Sequence, residues 1–396
     1  MGRRTAGLSA LLIVWKKELT EFVRDRRTFA LTLLFGPLLA PLLFMGLTSL
    51  GESKAREQME KPLQVAIVGA EHAPNLVTWL AGQGIERKEV ADPEAAVRAQ
   101  EDDAYLSIDG DFAEDWRAGK PAVVEIVHDS TRRDSGIPVR RLERALELYG
   151  QQMGALRLLA RGINPSVASP MAVSRKDIST PEARGAGLAA MMLPYLLIMF
   201  AFLGSMPLVV DATAGERERQ SLEPLLATPA RRGAIVSGKF AACCLVGMVA
   251  LLLTLLAFKV GARFSPGIGG QMAVDWNAMA LLMLVLLPMV FLGATLLTWI
   301  ASAAKSVKEA QSYTSVLVLL PMIPTMLLMI SPVKNQLWMF AVPFLAQNQM
   351  LLKVIRSEAI SAEQWTVYLL AGFGLAALLW VAAVGRYRQE RLAVSS

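Results

Sequence analysis

Cysteine and histidine are scarce in this 396-residue chain, which has two of each. Cys243 and Cys244 are adjacent inside an apolar run, so they point in different directions on a helix and cannot build a disulfide framework. His72 and His128 have no cysteine or histidine neighbour at metal-binding spacing. The sequence therefore predicts no metal, and it predicts surface positions for both histidines.

Nucleotide-binding and catalytic signatures are also missing. Residues 233–240 almost match the phosphate-binding loop G-x-x-x-x-G-K-[ST], but Phe240 replaces the hydroxyl residue that would hold magnesium, and no strand precedes the run. Residues 128–135 combine histidine, serine and acids without the strand-turn-helix context of a nucleophilic serine. We expect no catalytic residue and no cofactor in this chain, which is therefore not an enzyme.

Charge is absent from six long apolar runs. Each run is close to the ~20 residues that cross a bilayer as a helix. The runs are 28–50, 187–210, 240–258, 278–300, 313–332 and 366–384. Hydrophobic residues make up 54% of the chain, above the roughly 45–50% of soluble domains. The sequence predicts an α-helical polytopic membrane protein with six transmembrane helices.

Lysine and arginine are unevenly distributed along the chain. They concentrate in 1–27, 211–239 and 385–396, whereas residues 51–186 hold more acidic than basic side chains. Basic residues of short loops are retained on the cytoplasmic side of a membrane. We therefore expect both termini to be cytoplasmic and residues 51–186 to lie outside.

Residues 1–27 are predicted to form a cytoplasmic amphipathic helix in the membrane interface, with an ordinary cytosolic leader as the alternative. The apolar face comprises Leu12, Trp15, Leu19, Phe22 and Val23. The charged face comprises Lys16, Lys17, Glu18, Glu21, Arg24 and Asp25. Transmembrane helix one, 28–50, follows at once and is read as an anchor rather than a cleaved signal.

Residues 51–186 are long enough for one soluble domain. Strands are predicted at Leu63–Val68, Ala104–Ile108 and Val123–Val127, and helices at Asn75–Ala81, Pro93–Gln100 and Ile137–Arg161. A linker, Asn164–Pro181, leads back to the membrane. This alternation predicts an α/β extracytoplasmic domain inserted between helices one and two.

Residues 187–385 are expected to hold transmembrane helices two to six, followed by a cytoplasmic tail over 386–396. Within them, residues 333–365 are too apolar for a free loop and too interrupted for a full span. Short or re-entrant helices at the outer leaflet are predicted there. A loop buried over the helix bundle is the alternative.

A charged connection, residues 211–232, separates spans two and three and is predicted to surface in water. Polar pairs at i,i+4 favour a helix over 214–228, namely Glu216 with Gln220 and Arg219 with Glu223. Three leucines add an apolar edge: Leu222, Leu225 and Leu226. Pro224 should disrupt the helix near Glu223. Such a helix suits a groove on a soluble partner, and a solvated connector is the alternative.

The same connection resembles the signature of ABC-2-type transporter permeases, in Glu216-Arg-Glu-Arg, Leu222-Glu, Leu225-Leu-Ala-Thr-Pro229 and Gly238-Lys239. Residues 15–28 are similar to that family's N-terminal interfacial helix. One span, a large external domain and five further spans extend the resemblance over essentially the whole chain. The insert looks most like the sodium-efflux (NatB-like) branch and its drug-exporter relatives. Pro224 departs from the pattern, since many relatives carry another residue there.

The resemblance implies the permease subunit of an ATP-driven exporter in the bacterial cytoplasmic (inner) membrane. Two separate ABC ATPase subunits, which bind ATP and Mg, would dock on the 214–228 helix, and the chain would pair with a second copy or a paralogous permease. The implied coupling contacts are Glu216, Arg217, Glu218, Arg219, Leu222, Glu223, Leu225 and Leu226. The interfacial helix would meet the same subunits and membrane lipid through Trp15, Lys16, Lys17, Glu18, Arg24 and Asp25. No nucleic-acid partner is expected.

The substrate stays open between sodium ions and a hydrophobic or amphipathic compound. A dedicated cation path usually contains an intramembrane ionisable residue, and the predicted spans contain none. Span hydroxyls offer an alternative set of sodium ligands: Thr32, Tyr195, Thr254, Thr295 and Tyr313. The alternative function is a membrane-anchored sensor or assembly factor, with a ligand-binding external domain and no transport activity.

Overall fold

The computed structural model describes residues 2–131, 135–168, 171, 187–264, 275–330 and 336–388. Its contacts divide the chain into two compact units, Leu50–Asp177 and a helical unit made of Met1–Ser49 and Ile178–Ser396. Most of the predicted linker and of the 386–396 tail lies outside the described residues. The two units are taken in turn below.

The described part of the helical unit contains six helices that are long and apolar enough to cross a membrane. Spans one to six are Arg26–Gly51, Leu193–Glu218, Arg232–Arg263, Trp276–Ala301, Val307–Leu328 and Ala362–Tyr387. They confirm the six transmembrane helices predicted from apolarity and length. The largest difference is in span two, which runs beyond residue 210 through charged residues to Glu218.

Spans one, two and five are interrupted, whereas spans three, four and six are single helices, Arg232–Phe264, Trp276–Ala301 and Ala362–Arg388. Span one is formed by Arg26–Ala30, a π-helical turn Leu31–Phe35, and the first part of Gly36–Glu60. Span two is formed by the later part of Gly187–Leu203, Met206–Val210, a second π-helical turn Asp211–Gly215, and Glu216–Glu218. Span five is formed by Val307–Ser315, the 3-10 turn Val316–Leu319, and most of Met322–Ile330. Pro207 follows the interruption of span two and has no N–H for the Leu203 carbonyl.

The interior of the helical unit lies between spans two, three and four. These spans bury half or more of their most apolar stretch, while spans one, five and six bury less than a third. Close contact is made possible by Gly293 of span four, which lies against the backbone of Phe202 in span two. Small residues at such crossings are how membrane helices gain packing contacts without a hydrophobic driving force.

Two short helices lie between spans five and six, the 3-10 helix Leu337–Ala341 and the α-helix Leu345–Ile355. The second packs against spans two and four and buries three consecutive amide side chains: Gln347, Asn348 and Gln349. Short helices are the structure predicted for 333–365, of which residues 333–335 are not described. Their depth at the outer leaflet stays a prediction.

The second unit holds a four-stranded sheet in the order β2-β1-β3-β4. The strands are β1 Leu63–Val68, β2 Ile85–Lys88, β3 Ala104–Ile108 and β4 Val124–His128. β1 is parallel to β2 and β3, and β4 is antiparallel to β3. Helices Pro74–Gly82, Pro93–Arg98, Phe112–Ala118 and Gly136–Ala160 accompany the sheet. Three predicted strands are confirmed. The sequence missed β2, because a short, charged edge strand lacks the alternating apolar pattern.

Candidate functional site

The charged connection begins as a continuation of span two rather than as a solvated segment. Residues 212–216 are buried, and the π-helical turn Asp211–Gly215 leads directly into the helical turn Glu216–Glu218. The first helical piece ends in a turn at Gln220, whose φ of 56° is left-handed, and a second helix runs from Leu222 to Ala227. Two short helical pieces therefore replace the single helix predicted over 214–228.

Pro224 does not break the second helix. It lies in the first turn of Leu222–Ala227, where backbone N–H groups have no partner within the helix and a missing donor costs little. The disruption predicted near Glu223 falls instead at Gln220. Pro224 is therefore compatible with the helical geometry that the resemblance implied.

The charges of the connection do not pair at i,i+4 as the sequence predicted. Arg219 forms an ion pair with Asp211, with 2.7 Å between Nη1 and Oδ1. Glu216 pairs with two lysines that are remote in sequence, Lys17 and Lys239. The turn at Gln220 interrupts the helix on which the predicted i,i+4 pairing depends, so the expected pairing was wrong.

Lys17, Glu18, Glu216 and Lys239 form one ion cluster. The ammonium of Lys239 lies 2.8 Å from Glu18 and 2.7 Å from Glu216, and all three side chains are 2% exposed. Lys239 also donates to the Ala212 carbonyl at 2.9 Å, within the π-helical turn. Lys17 closes the cluster by contacting Glu18 at 3.2 Å and by donating to Glu216. The cluster joins the N-terminal helix, the end of span two and the start of span three.

The N-terminal helix, Gly2–Arg24, buries positions that the predicted apolar face only partly includes. From Leu8 onward its buried positions are Val14, Glu18 and Phe22, which recur every four residues, whereas Leu12 and Val23 are exposed. Glu18 belongs to this inward stripe because Lys239 supplies a buried countercharge. The predicted helix is confirmed, and the prediction that Glu18 lies on its solvated face was wrong.

Gly238 allows the N-terminal helix to approach span three closely. A Cβ atom at this position would lie 2.8 Å from both the Leu11 carbonyl oxygen and the Val14 Cβ. The next residue is Lys239, so the same close approach brings its ammonium to Glu18. The glycine-lysine pair that carries the resemblance thus has a packing role and an ionic role. Residues 233–240 lie within the helix Arg232–Phe264.

Burial and neighbouring charges shift the pKa values of Lys17 and Glu18 in opposite directions. Burial alone would lower the pKa of Lys17, but the hydrogen bond to Glu216 and the charge of Glu18 outweigh it and raise that pKa above its ordinary value. Burial raises the pKa of Glu18, and the ammonium of Lys239 opposes this effect. The two lysines therefore stabilise carboxylates that burial would otherwise favour in the neutral form.

The carboxylates of Glu18, Glu21 and Glu216 come within 4.8 Å of one another, which is the spacing of a possible cation site. Each of the three is already paired with an ammonium group: Glu21 with Lys17, Glu18 and Glu216 with both lysines. The lysines thus occupy the positions from which a metal would neutralise these charges. The arrangement is suited to holding three helices together.

The charged connection is also tied to the segment between spans four and five. Arg217 donates to the Ala304 carbonyl at 3.2 Å. Glu218 accepts from the Val307 amide at 2.8 Å, at the first turn of the helix that begins span five. A carboxylate at a helix N-terminus is favourable, since the helix dipole and unpaired amides meet it. These contacts tie the connection to the segment between spans four and five and to the start of span five.

The predicted leucine edge packs mainly inside the unit. Leu222 is buried against Val236, Val384 and Tyr387, at the start of span three and the end of span six. Leu225 and Leu226 are half-buried. The exposed residues of the predicted coupling set are Glu218, Arg219 and Glu223.

The remaining residues singled out on the N-terminal helix are separate from the ion cluster. Trp15 is half-buried against the core, whereas Lys16 and Arg24 are exposed. Asp25 follows the helix and accepts from the amides of Arg27 and Thr28 at 3.1 and 3.2 Å. Hydrogen bonds from Thr28 lower the pKa of Asp25. Asp25 thus caps the first helix of span one.

Two of the span hydroxyls proposed as sodium ligands are hydrogen-bonded within their own helices. Thr254 donates to the Ala250 carbonyl and Thr295 to the Phe291 carbonyl, each within its own helix. Among the described residues, Thr32 and Ser205 have buried hydroxyl oxygens with no hydrogen-bond partner. Ser205, which sequence reasoning missed, lies at the interruption of span two. Its signal in the sequence is its position between Gly204 and Pro207, two residues that interrupt a helix.

A bundle of six membrane-length helices whose charged connections are bound together at one end defines a polytopic membrane protein. The chain belongs to the ABC-2 family of transporter proteins, whose family model matches residues 12–385. It is 29% identical over 372 residues to the ABC transporter permease protein NatB of Bacillus subtilis (strain 168), covering 90% of this chain and 94% of that protein. Membership of this family implies an ATPase partner and a paired permease.

Proposed function

We propose that this chain is the permease subunit of an ATP-driven exporter, energised by separate ATPase subunits that dock on the charged connection. The observation that carries the proposal is the ion cluster, which links this connection to the N-terminal helix and span three. ATP and Mg would be held by the partner ATPase. Family membership supports this function over the alternative of a sensor without transport activity.

The ion cluster suits the transmission of movement because its members cannot separate cheaply. Removing one partner from a buried ion pair typically costs about 3–5 kcal/mol. A displacement of Glu216 would therefore carry Lys17 and Lys239 with it, and Glu218 would act on the start of span five. Nucleotide binding drives such a change only if the ATPase contacts differ between the two states.

The exposed residues of the connection provide the proposed docking surface. Glu218, Arg219 and Glu223 are exposed beside half-buried Leu225, which gives a charged rim around an apolar contact. In this arrangement both termini and the connection are cytoplasmic, and residues 51–186 are outside. The functional assembly would contain two permeases, identical or paralogous, and two ATPases in the bacterial inner membrane.

Combining Glu223→Lys with Leu225→Asp should remove the ATPase from the complex. A reversed rim charge and a polar group at the apolar contact are expected to weaken binding by about 2 kcal/mol or more, roughly 30-fold. The measurement is ATP hydrolysis by the complex purified from its native membrane through a tag on this chain. Glu363→Lys is the control for the charge reversal, because Glu363 is exposed at the start of span six, away from the connection. Wild-type complex without ATPase activity, or equal activity in both variants, would contradict the proposal.

We propose that the exported substrate is either sodium or a hydrophobic compound. A substitution at Ser205 can distinguish these two substrates. Its buried hydroxyl has no hydrogen-bond partner among the described residues and lies at the midpoint of span two. Transport sites commonly occur at interrupted helices near the bilayer midplane. This location supports the sodium branch.

Ser205→Ala should reduce ATP-dependent sodium transport at least tenfold if the oxygen is a ligand, and should leave dye transport unchanged. The assay uses vesicles containing the permease and its ATPase, with radioactive sodium or a lipophilic dye. Thr366→Val is the control, because that hydroxyl is exposed near the start of span six and is not among the sodium ligands considered above. If neither sodium nor dye moves in the wild type, both substrate assignments fail.

A further inference from the structure

A groove of about 340 Å³ opens between spans three, four and six, which is within the size range of small-molecule sites. It is lined by Ser237, Phe240, Phe291, Phe373, Ala376, Ala377 and Trp380. Six of these seven side chains are apolar. None belongs to the ion cluster or to the residues assigned to ATPase docking.

Three phenylalanines form one wall of this groove. The ring centroids of Phe240 and Phe291 are 5.4 Å apart, and those of Phe291 and Phe373 are 5.5 Å apart. Each ring comes from a different span, so the wall depends on the packing of all three helices. Span six also contributes Ala376 and Ala377, whose small side chains leave the space beside the rings open. The shape suits a slender, flexible apolar chain.

Two arginines lie beyond one end of the groove. Arg232, at the start of span three, donates to the Tyr387 carbonyl at 2.9 Å. Arg386, near the end of span six, donates to the Trp299 carbonyl at 3.0 Å and lies 4.5 Å from the centroid of the Trp299 ring. A guanidinium has five N–H groups, so each arginine is held in place and keeps donors for an anion.

The separation between the arginines and the groove matches the dimensions of one leaflet. With ~1.5 Å of rise per residue, Trp380 and Phe373 lie roughly 9 and 20 Å along span six from Arg386. Phe240 lies roughly 12 Å along span three from Arg232. Half of a hydrocarbon core of ~30 Å is about 15 Å, and half of a bilayer of ~40 Å that includes the headgroup regions is about 20 Å. The groove therefore covers the depth of acyl chains, with the arginines at headgroup level.

We propose that the groove binds one acyl chain of an anionic phospholipid whose phosphate contacts Arg232 and Arg386. A lipid satisfies both halves of the site, since its apolar chain fills the aromatic groove and its phosphate meets the two guanidinium groups. A neutral lipophilic compound would use only the groove. The bound lipid would hold spans three and six together beside Val384 and Tyr387, which pack on Leu222 of the charged connection.

The test uses a phosphatidylglycerol with a photoreactive diazirine near the end of one acyl chain, present at a low fraction in phosphatidylcholine nanodiscs containing the protein. Labelling should concentrate on the segments around Phe240, Phe291 and Phe373. Unlabelled phosphatidylglycerol should compete far better than unlabelled phosphatidylcholine. Arg386→Gln and Arg232→Gln should each weaken the labelling about fivefold, the effect of one cation near an anionic lipid headgroup.

Ala377→Trp should abolish most of the labelling by filling the groove. Leu378→Trp is the matched control, because Leu378 is the next residue, is exposed, and does not line the groove. Both positions are surface positions, so neither variant disturbs the core. Labelling of A377W at the level of L378W would overturn the proposal. Equal competition by phosphatidylcholine, or displacement by a neutral lipophilic dye with both arginine variants unaffected, would also overturn it.

Discussion

Replacing Lys239 by methionine is expected to destabilise the helical unit by about 3–5 kcal/mol, because it leaves buried carboxylates without their countercharge. The Lys239 ammonium lies within 2.8 Å of both Glu18 and Glu216, and all three side chains are almost fully buried. After the substitution, only half-buried Lys17 would face the two carboxylates. The effect is measured as a fall in the thermal midpoint of the purified protein.

The control substitution and the rescuing substitution for this prediction both lie in the N-terminal helix. Lys16→Met removes an equal charge from an exposed position and should leave the midpoint unchanged. Adding Glu18→Gln to Lys239→Met leaves Glu216 with Lys17, so the double variant should recover a coupling energy of about 0.5–3 kcal/mol. A wild-type midpoint for K239M would show that the cluster is not a desolvated unit. The same conclusion would follow if the double variant lost as much as the two single variants together.

The spans were predictable from the sequence and the ion cluster was not. A span needs only length and apolarity, which the sequence shows directly. A charged side chain is expected to be exposed to solvent unless an oppositely charged partner is buried beside it. In the ion cluster these partners are far apart in the sequence. Lys17 and Glu216 are 199 residues apart, and Glu18 and Lys239 are 221. Local spacing instead pairs Glu216 with Gln220. That pairing needs a continuous helix, and the helical piece that begins at Glu216 ends at Glu218.

The N-terminal helix shows that periodicity can identify a helix without identifying the residues that it buries. Its apolar residues are spread widely enough that both Leu12 and Val14 fit an amphipathic pattern. The choice between them is made by span three, where Gly238 admits the backbone near Val14 and Lys239 draws in Glu18. The informative signal was the adjacent glycine and lysine, whose joint effect appears only when the helices are packed.

Replacing Gly293 by alanine is expected to cost about 3 kcal/mol or more, at or above the usual range for overpacking. A Cβ at this position would lie 2.2 Å from the carbonyl oxygen of Phe202 and 3.0 Å from its Cα. These are backbone atoms of a buried stretch of span two, so a rotamer change cannot relieve the clash. Spans two and four would have to separate close to the interruption at Gly204 and Ser205.

Gly374→Ala is the matched control for this prediction. Gly374 lies in span six, and a Cβ there meets no atom within 4 Å. Alanine should therefore be neutral or stabilising by up to about 1 kcal/mol, the difference in helix propensity. Thermal midpoints of the two purified variants give the comparison. If G293A is as stable as G374A, spans two and four do not touch at this crossing.

If G293A is destabilised and also loses transport in vesicles at temperatures where it remains folded, the separation of spans two and four has reached the interruption of span two. That outcome would connect this crossing to the transport path proposed around Ser205.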